Sequence, residues 1–381
     1  MASRILTSCL SVLLLFVLSG CENRPNKEFT YYPNGKMRAR FVIHKGGLRD
    51  VDAYYDTGEL RFKGHMLWGK LNGEFTEYYK SGAVKTTGTY TKGKSDGHFL
   101  TYYESGKLAG DEYFKDGFVD GKATDYYESG EVIRRGTFVN GDGVLKHYYK
   151  NGALKREEPY KHNKIHGVVT SYYESGQVHM VEDYFQGLPT GLLKSYDKNG
   201  HVMSVRHYRL GLLYGPAIDY YPNGKVMRET AYKSNKLDGP STIYYKTGTP
   251  YRTMTYEDGQ IEGELKEFYE DGTLKNVFTY VKSVLNGPMK GYDQKGNLKW
   301  DRQYVDGLKQ GPAKAYYPLS GELWVLEQFD HGKKYKKVIY TRDGKVSDSY
   351  TFPPEKQTVE KENFNTDFWK SAVDNEFQKT K

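Results

Sequence analysis

The chain has 381 residues, with 56 basic and 48 acidic side chains for a formal charge of +8, together with 37 tyrosines, 42 glycines and two cysteines. Lys and Arg are spread without a long one-sign block, which argues against a dedicated nucleic-acid binder, because such proteins gather basic charge on one face or tail. Of the two cysteines, Cys9 lies inside an apolar leader, so a disulfide framework is excluded and the fold must be held by burial and backbone pairing.

The first 21 residues form a distinct segment. Met1 to Arg4 carry one positive charge, Ile5 to Leu18 are mostly apolar, and Leu18, Ser19, Gly20 and Cys21 follow. An apolar run of 14 residues falls short of the roughly 20 that a spanning helix needs. Its order of charge, apolar run and small residues is that of an export leader. The four residues ending at Cys21 resemble the lipobox of bacterial lipoprotein signal peptides. That resemblance implies that residues 1–20 are a signal peptide, and that Cys21, acylated by fatty acids such as palmitate, is the first residue of the mature chain. Each buried methylene contributes about 0.8 kcal/mol, so two or three acyl chains hold a protein firmly on a membrane. Glu22 stands where enterobacterial lipoproteins retained at the inner membrane carry Asp, which places the expected anchor in the outer membrane of a bacterial cell envelope. Residues 21–30 are then the lipidated Cys and a short tether, whose stretch from Glu22 to Glu28 reaches about 24 Å when fully extended.

Residues 31–352 carry a ruler. Tyr148, Tyr172, Tyr196, Tyr220, Tyr244, Phe268, Tyr292, Tyr316 and Tyr340 follow at steps of 24 residues, and Tyr126, Tyr102, Tyr78, Tyr54 and Tyr31 continue upstream at steps of 22, 24, 24, 24 and 23. These are fourteen copies of one unit, and such arrays bury their core between neighbouring copies and offer long contact surfaces. With each marker aromatic as position zero, position one is commonly a second Tyr. Position four is Gly in thirteen of the fourteen copies, and position six is mostly aliphatic, as at Val84, Leu108 and Val132. These spacings predict a β-hairpin with a three-residue loop, a type I turn closed by Gly in the left-handed region. Positions zero and six then face each other as an aromatic–aliphatic cross-strand pair. Alternation carries that face on to an aromatic at position twelve, such as Tyr90, Phe114 or Phe138. Gly near positions fifteen and nineteen, as at Gly93 and Gly97 or Gly117 and Gly121, predicts a slightly longer turn before the next copy. The expected fold is all-β, an elongated antiparallel β-hairpin repeat array of about 14 copies of about 24 residues with a short C-terminal helix.

Segments such as Tyr90, Gly93, Gly97, Tyr102, Tyr103, Gly106 and Leu108 resemble the bacterial variant of the MORN repeat, in which Tyr-x-x-Gly-x-x-x-Gly is followed by a paired aromatic and a Gly turn. The likeness runs through about 320 of the 381 residues. It departs from the pattern where Gly143 follows a two-residue deletion, where Asp197 and Asp293 replace the second Tyr, where Pro250 takes the aliphatic place, and where an insertion moves the turn glycine to Gly321. The resemblance implies a meander of hairpins associated with membranes or protein scaffolding. Bacterial proteins of this kind are often labelled antitoxin or immunity components beside secreted toxins.

Pro353 and Pro354 stop the pattern. In the tail, residues 353–381, Phe364, Phe368, Trp369, Ala372, Val373 and Phe377 recur at helical spacing, which predicts a helix capping the last strand. The sequence holds no nucleophile-elbow, phosphate-loop, zinc-protease or Cys-x-x-Cys pattern. His162 and His166 stand four apart in a predicted turn without a third ligand. Asp96, Asp116, Asp258, Asp271 and Asp306 sit beside loop glycines as turn residues. The chain is therefore read as a non-enzyme with no metal and no cofactor. Tyr79, Tyr103, Tyr127, Tyr149, Tyr173, Tyr221 and Tyr245, at position one, point away from the markers and are the candidate ligand-facing residues. Expected partners are the membrane through the lipid anchor and a protein, with envelope glycan or lipid as other ligands for the tyrosine ridge; nucleic acid is not expected. The leading function is a lipid-anchored, non-enzymatic binding or scaffold surface. The alternative is an antitoxin or immunity-type protein that neutralises a toxin by binding it.

Overall fold

The computed structural model describes residues 26–359. The expected leader, Cys21 and the tail residues from Phe364 to Phe377 that were expected to form a capping helix lie outside the described residues. The chain divides into two compact units, Met1–Gly211 and Leu212–Lys381. Each is an antiparallel meander in which strands pair with their neighbours along the chain. Among the described residues the helical elements are two three-residue turns, Lys45–Gly47 and Pro354–Lys356.

The first unit starts earlier than the tether reading allowed. Lys27–Tyr31 is a strand, paired with Met37–Ile43 from Lys27 opposite Val42 onward. An Arg49–Glu28 ion pair of 3.0 Å ties this strand also to the third, Leu48–Tyr54. Residues 27–30 therefore belong to the sheet, where their backbone groups find partners that a free tether lacks.

Each copy turns its first corner as the spacing predicts. Tyr78 pairs with Val84, the Gly82 amide donates to the Tyr79 carbonyl at 3.0 Å and the Tyr79 amide to the Ala83 carbonyl at 2.8 Å. The same bond to a position-one carbonyl recurs at fourteen loops of the described residues, and at the inserted copy Gly321 takes it up, 3.1 Å from the Tyr317 oxygen.

The second connection differs from expectation. It is a tight two-residue turn with both residues at positive φ, as Lys92 (51°) and Gly93 (84°) or Asp116 (50°) and Gly117 (89°), a conformation whose twist matches the flanking strands. The second glycine is a separate device. Val119 pairs with Phe114 and Ala123 with Glu112, so that Asp120, Gly121 and Lys122 bulge opposite Tyr113 alone. Gly121 has φ +120°, and a Cβ there would stand 3.0 Å from the Tyr113 Cβ, so the bulge needs glycine. The copy that is two residues short pairs Gly136 with Leu145, Thr137 with Val144 and Phe138 with Gly143 without interruption. Its missing residues are the bulge.

Position twelve belongs to the core at Phe114, Phe138, Tyr280 and Tyr304, yet the markers themselves are only half-buried, and Tyr31 is exposed. A register shift between each marker and the preceding residue, such as Glu77/Tyr78 or Thr101/Tyr102, turns the markers out of the buried row. The other main core position lies three residues before the marker. In the first unit it supplies Phe75, Phe99, Ala123, Leu145 and Val169, and in the second Ala217, Leu265, Met289 and Ala313. Phe75, Phe99 and Phe114 pack with Phe62 and Tyr90 at ring separations of 5.0–5.7 Å. Gly88 makes this possible, because a Cβ there would lie 2.7 Å from the Phe99 ring. The second unit packs Met254, Ile261, Leu265, Phe278, Tyr280, Leu285, Met289 and Tyr304 into one cluster.

Phe99 is 1% exposed at the centre of the aromatic cluster. Phe99→Ala is expected to destabilise the first unit by about 3–5 kcal/mol, read as a lowered urea midpoint by tryptophan-independent circular dichroism. A change below about 1 kcal/mol would mean that this position is not the packing centre.

Candidate functional site

The seven position-one tyrosines are all half-buried, and the structure assigns six of their hydroxyls to the sheet. Tyr79, Tyr103, Tyr149, Tyr173, Tyr221 and Tyr245 donate at 2.7–2.8 Å to the carbonyls of Tyr102, Tyr126, Tyr172, Tyr196, Tyr244 and Phe268, the markers of the following copies. Tyr32, Tyr55, Tyr269 and Tyr317 do the same. The expectation that these residues face a ligand is corrected to this extent: the polar end of the ring is occupied within the array. Burial pushes the Tyr103, Tyr173 and Tyr245 phenols up from their ordinary range. Tyr127 makes no such bond among the described residues, and it precedes the copy that lacks its bulge. Asp197 and Asp293 use their carboxylates locally instead. Asp197 accepts from the Asn199 and His201 amides at 2.8 and 2.9 Å, and Asp293 from Lys295 and Asn297 at 2.9 Å each.

The opposite edge of each unit is joined by backbone. The Gly93 amide donates to Leu71 at 2.7 Å, Gly117 to Ser95 at 2.9 Å, Gly187 to Ile165 at 2.7 Å and, in the second unit, Gly259 to Leu237 at 2.7 Å. Where the glycine is replaced, the new side chain adds a bond. Asn163, Asn235 and Ser283 keep positive φ and accept from the Val119, Leu213 and Ile261 amides at 3.3, 2.7 and 2.8 Å.

The middle of the first unit carries buried charge that the repeat pattern did not reveal. Arg156 donates to Glu158 at 2.8 Å, to Glu182 at 3.0 Å and to Ser171 at 3.1 Å, while His147 and Tyr160 reach Glu158 at 3.1 and 3.0 Å. Burial alone would raise the Glu158 carboxyl, but the hydrogen bonds from His147, Tyr160 and Arg156 outweigh it and hold it at about 2. Arg134 is bonded to Asp125, directly opposite on the preceding strand, and lies 3.6 Å from Glu112. In the second unit Arg252 and Glu267 form a buried pair, with Asn276 donating to Glu267 at 2.8 Å. Each of these sets sits inside the sheet as packing, saturated by its own partners apart from one oxygen of Glu112.

Exposed chemistry gathers on the edge of the two-residue turns. There Phe185 and Leu188 pair across a turn at 47% exposure each, with Leu210 at 59%. In the second unit Val281 pairs with Val284, and both are exposed, as is Val305. The other edge is polar, with exposed Lys80 and Ser81, Glu104 and Ser105, or Glu128 and Ser129 in its loops. His162 and His166 line a shallow cleft with Lys161, Lys164, Phe185 and Gln186, and the His166 ring stands 5.0 Å from Phe185. Among the described residues no group of three or more His, Cys, Asp or Glu is placed to hold a metal ion. Asp116, Asp258 and Asp306 occupy the first, positive-φ place of two-residue turns, Asp271 accepts from the Thr273 amide at 2.8 Å, and the Asp96 amide donates to Thr89 at 3.0 Å. No helix of the described residues is long and apolar enough to cross a membrane.

The family described as MORN repeat variant matches residues 71–92, 95–116, 119–140, 141–162, 165–185, 189–209, 213–234, 237–258 and 261–282, together just over half of the chain. Nothing among curated proteins matches. Among solved structures, a crystal structure of TcdB2-TccC3 aligns at 11% identity over 86% of this chain and 21% of its own, with a TM-score of 0.15. The Tc holotoxin pore of Photorhabdus luminescens aligns at 12% identity over 85% and 23%, with a TM-score of 0.14. This chain thus spans about a fifth of the length of those chains, and overlays this poor carry no argument about it.

If the tyrosine hydroxyls join copies, Tyr173→Phe should cost about 1 kcal/mol, the net worth of one hydrogen bond plus its deserted carbonyl. Tyr127→Phe should leave stability unchanged within about 0.3 kcal/mol. Equal losses at both positions, measured by chemical denaturation, would refute the assignment.

Proposed function

We propose that this chain, which belongs to the MORN repeat variant family, acts as a non-enzymatic binding and scaffold surface at a bacterial cell envelope, held there by a lipid on Cys21. The observation that carries the reading is the apolar fringe at Phe185, Leu188 and Leu210, which stands exposed beside turns whose backbone is already joined from copy to copy. Rigid aliphatic and aromatic side chains on a braced edge suit contact with another protein. Full burial of each such side chain contributes about 1.5–3 kcal/mol, and exposed apolar clusters of this kind mark interaction sites. A sugar ligand calls for free aromatic faces with polar groups beside them, and the position-one hydroxyls that could have served are bonded to carbonyls. A protein partner is therefore favoured over envelope glycan or lipid. The anchor rests on the order Leu18, Ser19, Gly20, Cys21 after the apolar leader.

Crosslinking of the full chain in its own envelope, followed by identification of what is captured, tests the reading. Phe185→Asp with Leu188→Asp should lower capture of the dominant protein at least tenfold while the unfolding midpoint stays near wild type. Cys21→Ala should move the chain out of the membrane fraction. Undiminished capture by the double variant removes the fringe from the proposal, and membrane retention of the Cys21 variant removes the anchor. A captured toxin would make the same surface an immunity determinant, the antitoxin-type alternative.

A further inference from the structure

The first unit holds one charged group whose needs its neighbours do not meet. Glu112 is 5% exposed, lies opposite Phe99 on one side and Ala123 on the other, and has an Oε2 without a hydrogen-bond partner. Its one cationic neighbour is shared, since Arg134 is bonded to Asp125 and reaches Glu112 Oε1 only at 3.6 Å. The preceding strand, Gly97–Tyr102, offers Phe99 and Thr101 on this face, and the following strand, Phe118–Tyr126, offers Asp125. The next, Val132–Val139, supplies Arg134, with Tyr160 beyond it near the guanidinium; Asp111 on the strand of Glu112 itself adds further negative charge. A buried carboxylate, Glu112, and a half-buried one, Asp125, therefore compete for one guanidinium, between the cluster of Phe75, Phe99 and Phe114 and that of Ala123, Phe138 and Leu145.

We propose that Glu112, Asp125 and Arg134 form a proton-operated latch in the first unit: with Glu112 protonated the strands around it close on one another, and with Glu112 ionised the surplus buried charge loosens them. An unpaired buried carboxylate is far more costly than its neutral form. Burial, then the nearby Asp125, push the Glu112 carboxyl up to about 7 against the opposing pull of Arg134. In the unfolded chain the same group ionises in the usual range near 4. Between those values the folded state holds the extra proton, so stability is greatest on the acid side and falls as pH rises toward 7. Above that the loss is complete, and the proton has gone to solvent.

Thermal melts of the full chain between pH 5 and pH 8.5 test this, together with hydrogen exchange corrected for intrinsic rates. In the wild type, exchange should quicken with pH in Leu108–Lys115, Phe118–Tyr126 and Val132–Val139 relative to Val178–Phe185. Glu112→Gln should remove that local quickening, flatten the melting profile and raise the melting temperature at pH 8 by a few degrees. Asp125→Asn frees the guanidinium for Glu112 and should shift the midpoint of the profile to lower pH. A Glu112→Gln profile parallel to the wild type overturns the latch, as does wild-type exchange with no pH-dependent difference between those strands and Val178–Phe185. An unmoved midpoint in Asp125→Asn overturns the competition for Arg134.

Discussion

A single sheet built from hairpins has two rows of turns, and each row must be tied to the next copy or the array frays at its edges. In each unit the two rows are tied differently. On one, a tyrosine hydroxyl such as Tyr103 Oη reaches the carbonyl of the following marker, Tyr126. On the other, a turn amide such as Gly117 reaches the carbonyl of Ser95 in the copy before. Backbone pairing across the strands joins hairpin to hairpin, but these edge bonds carry the geometry past the strand ends, where a loop would otherwise be held only by solvent. The requirement explains why an aromatic pair is repeated. The first ring takes its place in the hairpin pairing with position six, and the second supplies a hydroxyl on a stem long enough to span to the next loop.

Much of this was legible. The position-four glycine, the aromatic marker and the aliphatic residue at position six define a hairpin whose loop and cross-strand pair occur as read, from Tyr78 opposite Val84 onward. What escaped was whatever departs from simple alternation. Gly97 and Gly121 were grouped with Gly93 and Gly117 into one longer turn, because a glycine doublet four residues apart gives no hint that the first closes a two-residue turn and the second forms a bulge. The register shift beside each marker had the same cause. It moves the buried row to Phe75, Phe99 and Val169, residues whose types vary from copy to copy and so leave no period to detect.

The position-one tyrosines show a second limit. Alternation sets Tyr79 apart from Tyr78, yet says nothing about where a phenol at the entrance to a type I turn points. The deletion before Gly143 carried more information than its size suggested. It removes the bulge, and the tyrosine before it, Tyr127, is the one of the seven without its carbonyl contact. Thr341, which stands at position one of the last marker pair, keeps its hydroxyl within its own loop, on the Lys345 carbonyl at 3.0 Å. It is too short to reach farther, so the tyrosine row ends where the described strands end.

Repetition and specificity divide the chain between them. Every residue type that recurs with the period has a holding role: markers pair, second tyrosines tie copies, glycines turn or bulge. A surface made only of these would look alike at every copy and could not discriminate between partners. Distinction must therefore come from positions that the period leaves free. Those are the inward places where Glu112 and Glu158 of the first unit give way to Met254 and Phe278 in the second, and the turn flanks where Phe185 and Leu188 stand in place of Lys161 and Lys164 one copy earlier. The inward set varies what packs between neighbouring copies, and the turn flanks vary what the edge exposes. Because the two sets lie on different parts of the same hairpin, either can change without disturbing the bonds that hold the array.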